Sequence, residues 1–452
     1  MQNWGIISLV PAVTVIILAL ITRKTFEALV GGSFIGFVII SYKSSFSDFT
    51  NSLLLVMQDA AIGWVILVCG LFGSLIYLLA QSGGTNAFSG YLLKFVKTRK
   101  EALLATWLLG LCIFIDDYLN ALTVGSSMKK VTDRFNVPRE MLAYIVDSTA
   151  APVCVLIPLS TWAIFISGLL ESEGVVAQGE GLAGYLQAIP YITYGWVAAF
   201  LVPLVAINLI PPLGAMKKAE ERAKKGILKP PDSDTISLEI PEYLSDKEPK
   251  LSYFVIPILV LICATVYFDI DALRGVITAI AFTVAYFAMS KVMSFAQAMD
   301  GVFKGFKTML YALAIVTMSF VLKDVNDQMG LTPYVIESVS PWLNKEYLPV
   351  IAFVSLALIT FATGSFWGVY AISLPVIIPL AQSMGVDIWL AIGSVISAGA
   401  FGSHACFYGD ATILSASATE CNNVAHVVTQ LPYTLIAGGI TCIIYLILGH
   451  TI

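Results

Sequence analysis

Three groups of carboxylates lie in apolar surroundings, and these are the residues with chemistry to do. Asp116 and Asp117 sit side by side within residues 101–128, with Asn120 and Thr123 just after them. Asp147 is followed by Ser148 and Thr149 and then by Pro152. Asp410 lies among His404, Tyr408 and Thr412. A carboxylate at the centre of a membrane helix costs about 2.5–3.5 kcal/mol on insertion scales, so each needs a partner or a task. Unwound helix backbone frees carbonyl oxygens, and Asp, Asn, Ser and Thr side chains complete an oxygen cage for Na⁺. A carboxylate in such a cage binds Na⁺ or H⁺ in competition, because desolvation favours the proton and the cation opposes it. Plainer roles exist for each: a cap at an irregular turn for Asp116 and Asp117, a cap before Pro152 for Asp147, a bond to a freed amide for Asp410.

The elements that must position these groups follow from composition. Hydrophobic residues make up 58% of the 452 and charged residues 12%, about half the charge of an ordinary globular protein. With a mean hydropathy of +0.85, the chain reads as an all-α polytopic membrane protein. The net charge of −5 and the lack of a basic run alternating with aromatics exclude a nucleic-acid partner. The seven cysteines are scattered through apolar stretches without CxxC spacing and read as packing residues. Gly5 to Ile21 has no basic flank before it and no small-residue cleavage site after it, so it reads as a retained helix.

Spans of ~20 apolar residues are expected near 5–21, 25–41, 60–80, 140–168 and 185–212, then near 252–268, 272–290, 305–322, 388–418 and 431–449. Two apolar regions carry a polar interruption and read as re-entrant hairpins. Residues 101–128 break at Asp116 to Asn120, and residues 347–382 break at Thr363-Gly364-Ser365. With the N-terminus outside and both hairpins returning to their own side, 21 of the 25 Lys and Arg residues fall inside. Both termini then lie outside. The same arithmetic makes residues 1–213 and 251–452 an inverted repeat of five spans plus one hairpin each, with broken helices at the midplane, as in secondary transporters. Residues 214–250 read as a charged cytoplasmic linker, solvated and carrying a short amphipathic helix.

The expected cation and proton site comprises Asp116, Asp117, Asn120, Asp147, Ser148, Thr149, Asp410 and Thr412, with Na⁺ at Asp147, Thr149 and Asp410. Thr123, Thr363, Gly364, Ser365, Trp367, Tyr370, His404 and Tyr408 are expected to support it or to line a substrate pocket. No resident cofactor is expected, only Na⁺ and H⁺ as moving ions. No HExxH or GxSxG motif points to an enzyme.

Three stretches carry a resemblance: Phe114-Ile115-Asp116-Asp117-Tyr118-Leu119-Asn120 continuing to Gly125, Asp147-Ser148-Thr149-Ala150-Ala151-Pro152, and Gly402-Ser403-His404 continuing to Gly409-Asp410-Ala411-Thr412. With the opening Leu9-Val10-Pro11, the chain resembles the NhaC family of bacterial sodium/proton antiporters over essentially its whole length. Gly409 departs from the serine expected before Asp410. The resemblance implies a sodium-coupled transporter of the inner membrane, in contact with lipid and compatible with a homodimer. It leaves two substrates open: H⁺ alone, or a small organic acid or amino acid carried with Na⁺.

Overall fold

The computed structural model describes residues 4–22, 24–114, 116–231, 233, 248–339, 344–364 and 366–452. Among the described residues every regular element is helical. The first half runs α1 (Val10–Thr22), α2 (Thr25–Ile40), α3 (Ser45–Gln58), α4 (Ala60–Gln81) and α5 (Gly84–Leu92). A helix pair follows, α6 (Arg99–Cys112) and α7 (Asp117–Asp133), and then a broken run of α8 (Arg139–Thr149), α9 (Ala151–Cys154) and α10 (Thr161–Ser172). A bent pair closes this half, α11 (Gly181–Ala188) and α12 (Thr193–Ala206). The connecting segment contributes α13 (Gly214–Ala223).

The second half runs α14 (Ser252–Tyr267), α15 (Ala272–Met289), α16 (Phe295–Thr308), α17 (Leu310–Gln328), α18 (Leu331–Val339), the pair α19 (Leu348–Thr363) and α20 (Phe366–Met384), the broken run α21 (Ile388–Ala405) and α22 (Asp410–Thr419), and the single long helix α23 (Asn423–Thr451). The chain is therefore a multi-pass membrane protein in which several of the expected spans are assembled from two helices. Among the described residues, four single helices can cross a bilayer by length and composition, and two bent pairs raise this to six. One pair is Gly181–Tyr191 with Thr193–Ala206, bent by 56°; the other is Phe295–Thr308 with Leu310–Gln328, bent by 42°. The span expected at 305–322 thus starts earlier and turns at Met309.

Packing between the halves is reciprocal. α16 lies on α4 and α3 on α17, while α15 lies on α4 and α2 on α17. Small residues allow the close crossing of α4 and α16: a Cβ on Gly70 would come within 2.2 Å of the Phe306 ring, and one on Gly305 within 2.5 Å of Ser74. α3 and α16 are amphipathic, exposing Phe46 and Leu54 on one and Phe303 on the other while burying Ser52, Ala298 and Gly301. Side-chain caps open the helices that bound the breaks. Ser160 accepts from Ala163 N, Asp387 from Leu390 N, and Asn422 from Ala425 N.

Over its described part the linker is solvated on one face, with Lys217, Lys218, Glu221 and Lys224 exposed, and packed on the other. α13 packs on α8 and α23. Arg222 Nη2 donates to both carboxylate oxygens of Glu140, at 2.9 and 2.7 Å, and Arg139 N donates to Leu228 O. Glu420, in the turn between α22 and α23, pairs with Lys129 at 2.6 Å and with Lys229 at 2.7 Å. Burial alone would raise its carboxyl, but the two ammonium groups bring it down to about 2. Charge pairing within the fold, invisible at the level of composition, draws this segment onto the ends of α6, α8 and α22. Residues 234–247 of the linker lie outside the described residues.

Candidate functional site

The chain turns between the end of α6 at Cys112 and the start of α7 at Asp117, and Asp116 caps α7. Its Oδ1 accepts from Tyr118 N and Leu119 N, both at 3.0 Å, and its Oδ2 accepts from Thr161 Oγ1 of α10 at 3.2 Å. The cap is therefore real, and it also ties the turn to the broken run. Asp117 begins α7 and is buried, with Oδ2 left without a hydrogen bond. Asn120, three residues on and so on the same face, donates through Nδ2 to Gly110 O, Ile113 O and Thr149 O at 2.7–2.9 Å. Its own Oδ1 is buried and unpartnered. Thr123 is buried one turn further along.

Asp410 begins α22, which packs on α7 from the other half. Its Oδ1 accepts from Ala411 N at 2.8 Å, and its Oδ2 accepts the Tyr118 hydroxyl in a short bond. Asp116, Asp117 and Asp410 interact electrostatically there. Two helix N-termini meet at this point, and their dipoles favour negative charge. Beside these acidic groups lie two buried oxygens without a hydrogen-bond donor, Asp117 Oδ2 and Asn120 Oδ1.

Asp147 stands in a different environment. Its Oδ2 accepts from Gln430 Nε2 at 2.7 Å and Thr412 Oγ1 at 3.1 Å and lies 3.3 Å from His426 Nε2; its Oδ1 accepts from Ser415 Oγ at 3.3 Å. His404 Nε2 is 4.0 Å away. The carboxylate of α8 is thus held by donors from α22 and α23. His404 is itself committed on both ring nitrogens, with Nε2 3.2 Å from Ser148 Oγ and Nδ1 2.8 Å from Tyr194 OH.

The second turn, between α19 and α20, depends on Gly364. Its φ is +69°, and a Cβ there would come within 2.6 Å of the Tyr408 ring. Tyr408 OH donates to Ala362 O at 2.8 Å, and Tyr370 OH to Ile396 O at 2.8 Å. Thr363 Oγ1 folds back toward Thr360 O. Trp162 of α10 packs against Phe366, 4.1 Å between ring centroids and tilted by 32°, so the two turns are joined through α10.

The single ion site expected at Asp147, Thr149 and Asp410 does not assemble. Asp410 bonds Tyr118, Asp147 bonds the α22 and α23 donors, and Thr149 Oγ1 returns to Ile145 O and Val146 O of its own helix. Only the Thr149 carbonyl reaches outward, to Asn120. Among the described residues no three His, Cys, Asp or Glu side chains converge on one metal position. Tyr370, His404 and Tyr408 spend their polar atoms on protein partners. Ser365 lies outside the described residues, as does the side chain of Trp367. Reading the sequence missed His426, Gln430, Ser415, Thr161 and Tyr194. A His and a Gln four residues apart in an apolar stretch were the available signal.

Comparison with known proteins gives three matches. The model of the Na⁺/H⁺ antiporter family matches residues 176–450. An uncharacterized protein of Haemophilus influenzae is 30% identical over 98% of this chain and 91% of its own. A malate-2H(+)/Na(+)-lactate antiporter of Bacillus subtilis is 23% identical over 26% of each chain.

Proposed function

The chain belongs to the Na⁺/H⁺ antiporter family, and from that premise we propose that it exchanges Na⁺ for H⁺ across the cytoplasmic membrane by alternating access. One observation carries the reading. Asp117 Oδ2 and Asn120 Oδ1 are buried oxygens on one face of α7 without hydrogen-bond donors, beside Asp116 and Asp410. Buried acceptors are normally satisfied, and a bare cation satisfies them as donors would. Asp117 and Asn120 then supply the open Na⁺ ligands, with Asp116 and Asp410 as the charged neighbours whose own oxygens are held by protein donors. Residues 1–213 and 251–452 act as inverted repeats about this site, with the linker inside and both termini outside.

The test is proton movement in proteoliposomes holding an imposed pH gradient. Na⁺ alone is expected to dissipate the gradient; a gradient that collapses only when an organic acid is added rules the exchange out in favour of the second reading. That reading, a Na⁺-coupled carrier of a small organic acid, draws on a cavity of about 200 Å³ lined by Lys129, Lys130 and Arg139 against Asp133 and Glu420, and on the similarity to the malate-2H(+)/Na(+)-lactate antiporter of Bacillus subtilis.

The orientation has its own check. Cysteine at Lys225 is expected to react with membrane-impermeant reagents only from the cytoplasm, and cysteine at Glu173 only from outside. Labelling of both from one side would overturn the hairpin topology.

A further inference from the structure

We infer that the exchanged proton is held on His426, with Asp147 as its fixed counter-ion, at a site separate from the Na⁺ carboxylates. The inference rests on the Na⁺/H⁺ exchange proposed above and names where its second ion binds.

Hydrogen-bond bookkeeping decides between the two buried imidazoles. Ser148 Oγ donates its one proton to Tyr144 O at 2.6 Å. Its bond with His404 Nε2 at 3.2 Å therefore runs the other way, with the ring N–H donating. His404 Nδ1 is then the acceptor for the Tyr194 hydroxyl at 2.8 Å. Both nitrogens are filled with His404 neutral, and a further proton would have to displace the Tyr194 hydroxyl.

His426 differs. Its Nε2, 3.3 Å from Asp147 Oδ2, carries the hydrogen, because a carboxylate only accepts. Its Nδ1 is buried and has no partner. A lone pair is thus available on one side of the ring, with an anion already in place on the other.

The groups around the Asp147–His426 pair and the neighbouring His404 can be named from the elements that supply them. Asp147 comes from α8 and His404 from α21; α22 presents the hydroxyls of Thr412 and Ser415, and α12 presents Tyr194 behind His404. Asp147 interacts electrostatically with His404 and His426. Proton binding adds H⁺ to the Nδ1 lone pair, leaves the Nε2–H toward Asp147, and takes the Asp147–His426 pair from −1 to neutral. Release reverses the step. α22 links this site to the other: Asp410 begins it among the Na⁺ carboxylates, and Thr412 and Ser415 bond Asp147 from the same helix. A shift of α22 that serves one site is felt at the other.

The experiment compares the full-length protein with His426→Gln and His426→Asn in proteoliposomes. Both variants keep an N–H for Asp147 and remove the proton site. Na⁺-driven proton movement is measured beside exchange of labelled for unlabelled Na⁺ at equal pH on both sides. The expected result is proton movement lost and Na⁺-for-Na⁺ exchange kept. Proton movement retained with an unchanged pH profile overturns the proposal, because the proton then sits elsewhere. Loss of both activities in both variants overturns it too, because His426 is then structural. Absence of Na⁺-driven proton movement in the unaltered protein would instead sink the exchange reading itself.

Discussion

Asp117→Asn is expected to reduce Na⁺-driven proton movement to background while leaving the melting temperature at or above that of the parent. The Asp117 carboxylate is buried beside Asp116 and Asp410, and one of its oxygens receives no donor. Removing its charge relieves repulsion between like charges, and the amide brings N–H groups into a place rich in acceptors. The amide keeps an acceptor oxygen for the Trp162 indole; the ion loses a ligand and a neutralising charge. Labelled Na⁺ uptake and thermal unfolding in detergent, made on the same preparation, check the two halves of the expectation. Parental Na⁺ affinity and pH dependence would remove Asp117 from the site.

Asp147→Asn is expected to lose transport and stability together. The parent carboxylate accepts from Gln430, Thr412 and Ser415 and stands against His426. An asparagine offers one acceptor oxygen, and its N–H₂ faces groups that are themselves donors. Leaving buried donors without their acceptor costs about 1–3 kcal/mol, enough for a clear drop in melting temperature. Asp147→Glu keeps the charge and should recover part of that loss. A variant Asp147→Asn that unfolds at the parental temperature would show that these donors do not depend on the carboxylate. The two substitutions thus separate a carboxylate with an unfilled oxygen from one that the fold has already satisfied.

The two hairpin turns were legible because their sequences break a local rule. Asp116 and Asp117 interrupt an apolar stretch, and Gly364 sits between Thr363 and Ser365 in another. The Asp147 environment was not legible. Its donors are 265 to 283 residues away in sequence, and no pattern along one chain announces a pairing across halves. His426 and Gln430 fell just before the expected last span at 431–449, whereas the helix starts at Asn423. The bend at Met309 carries neither Pro nor Gly to mark it. α3 was missed because Ser, Asp and Asn dilute its apolar face below the hydropathy of a span. The linker looked solvated on every face because its composition is charged; Arg222 and Lys229 find their carboxylates only when α8 and α22 are in place.

The reciprocal packing of the halves has a consequence for how the protein is made. α4 carries the glycine face that receives Phe306 and Gly305 of α16. About 230 residues separate the end of α4 from the end of α16. At roughly 5–20 residues per second of synthesis, α4 waits on the order of 10–45 s for its partner. α2 waits longer still for α17. The first half therefore enters the bilayer with its mating surfaces covered by lipid and is completed by a partner synthesised afterwards. Biogenesis is a two-part assembly inside one polypeptide, and the halves produced as separate chains in the same cell carry the surfaces needed to find each other.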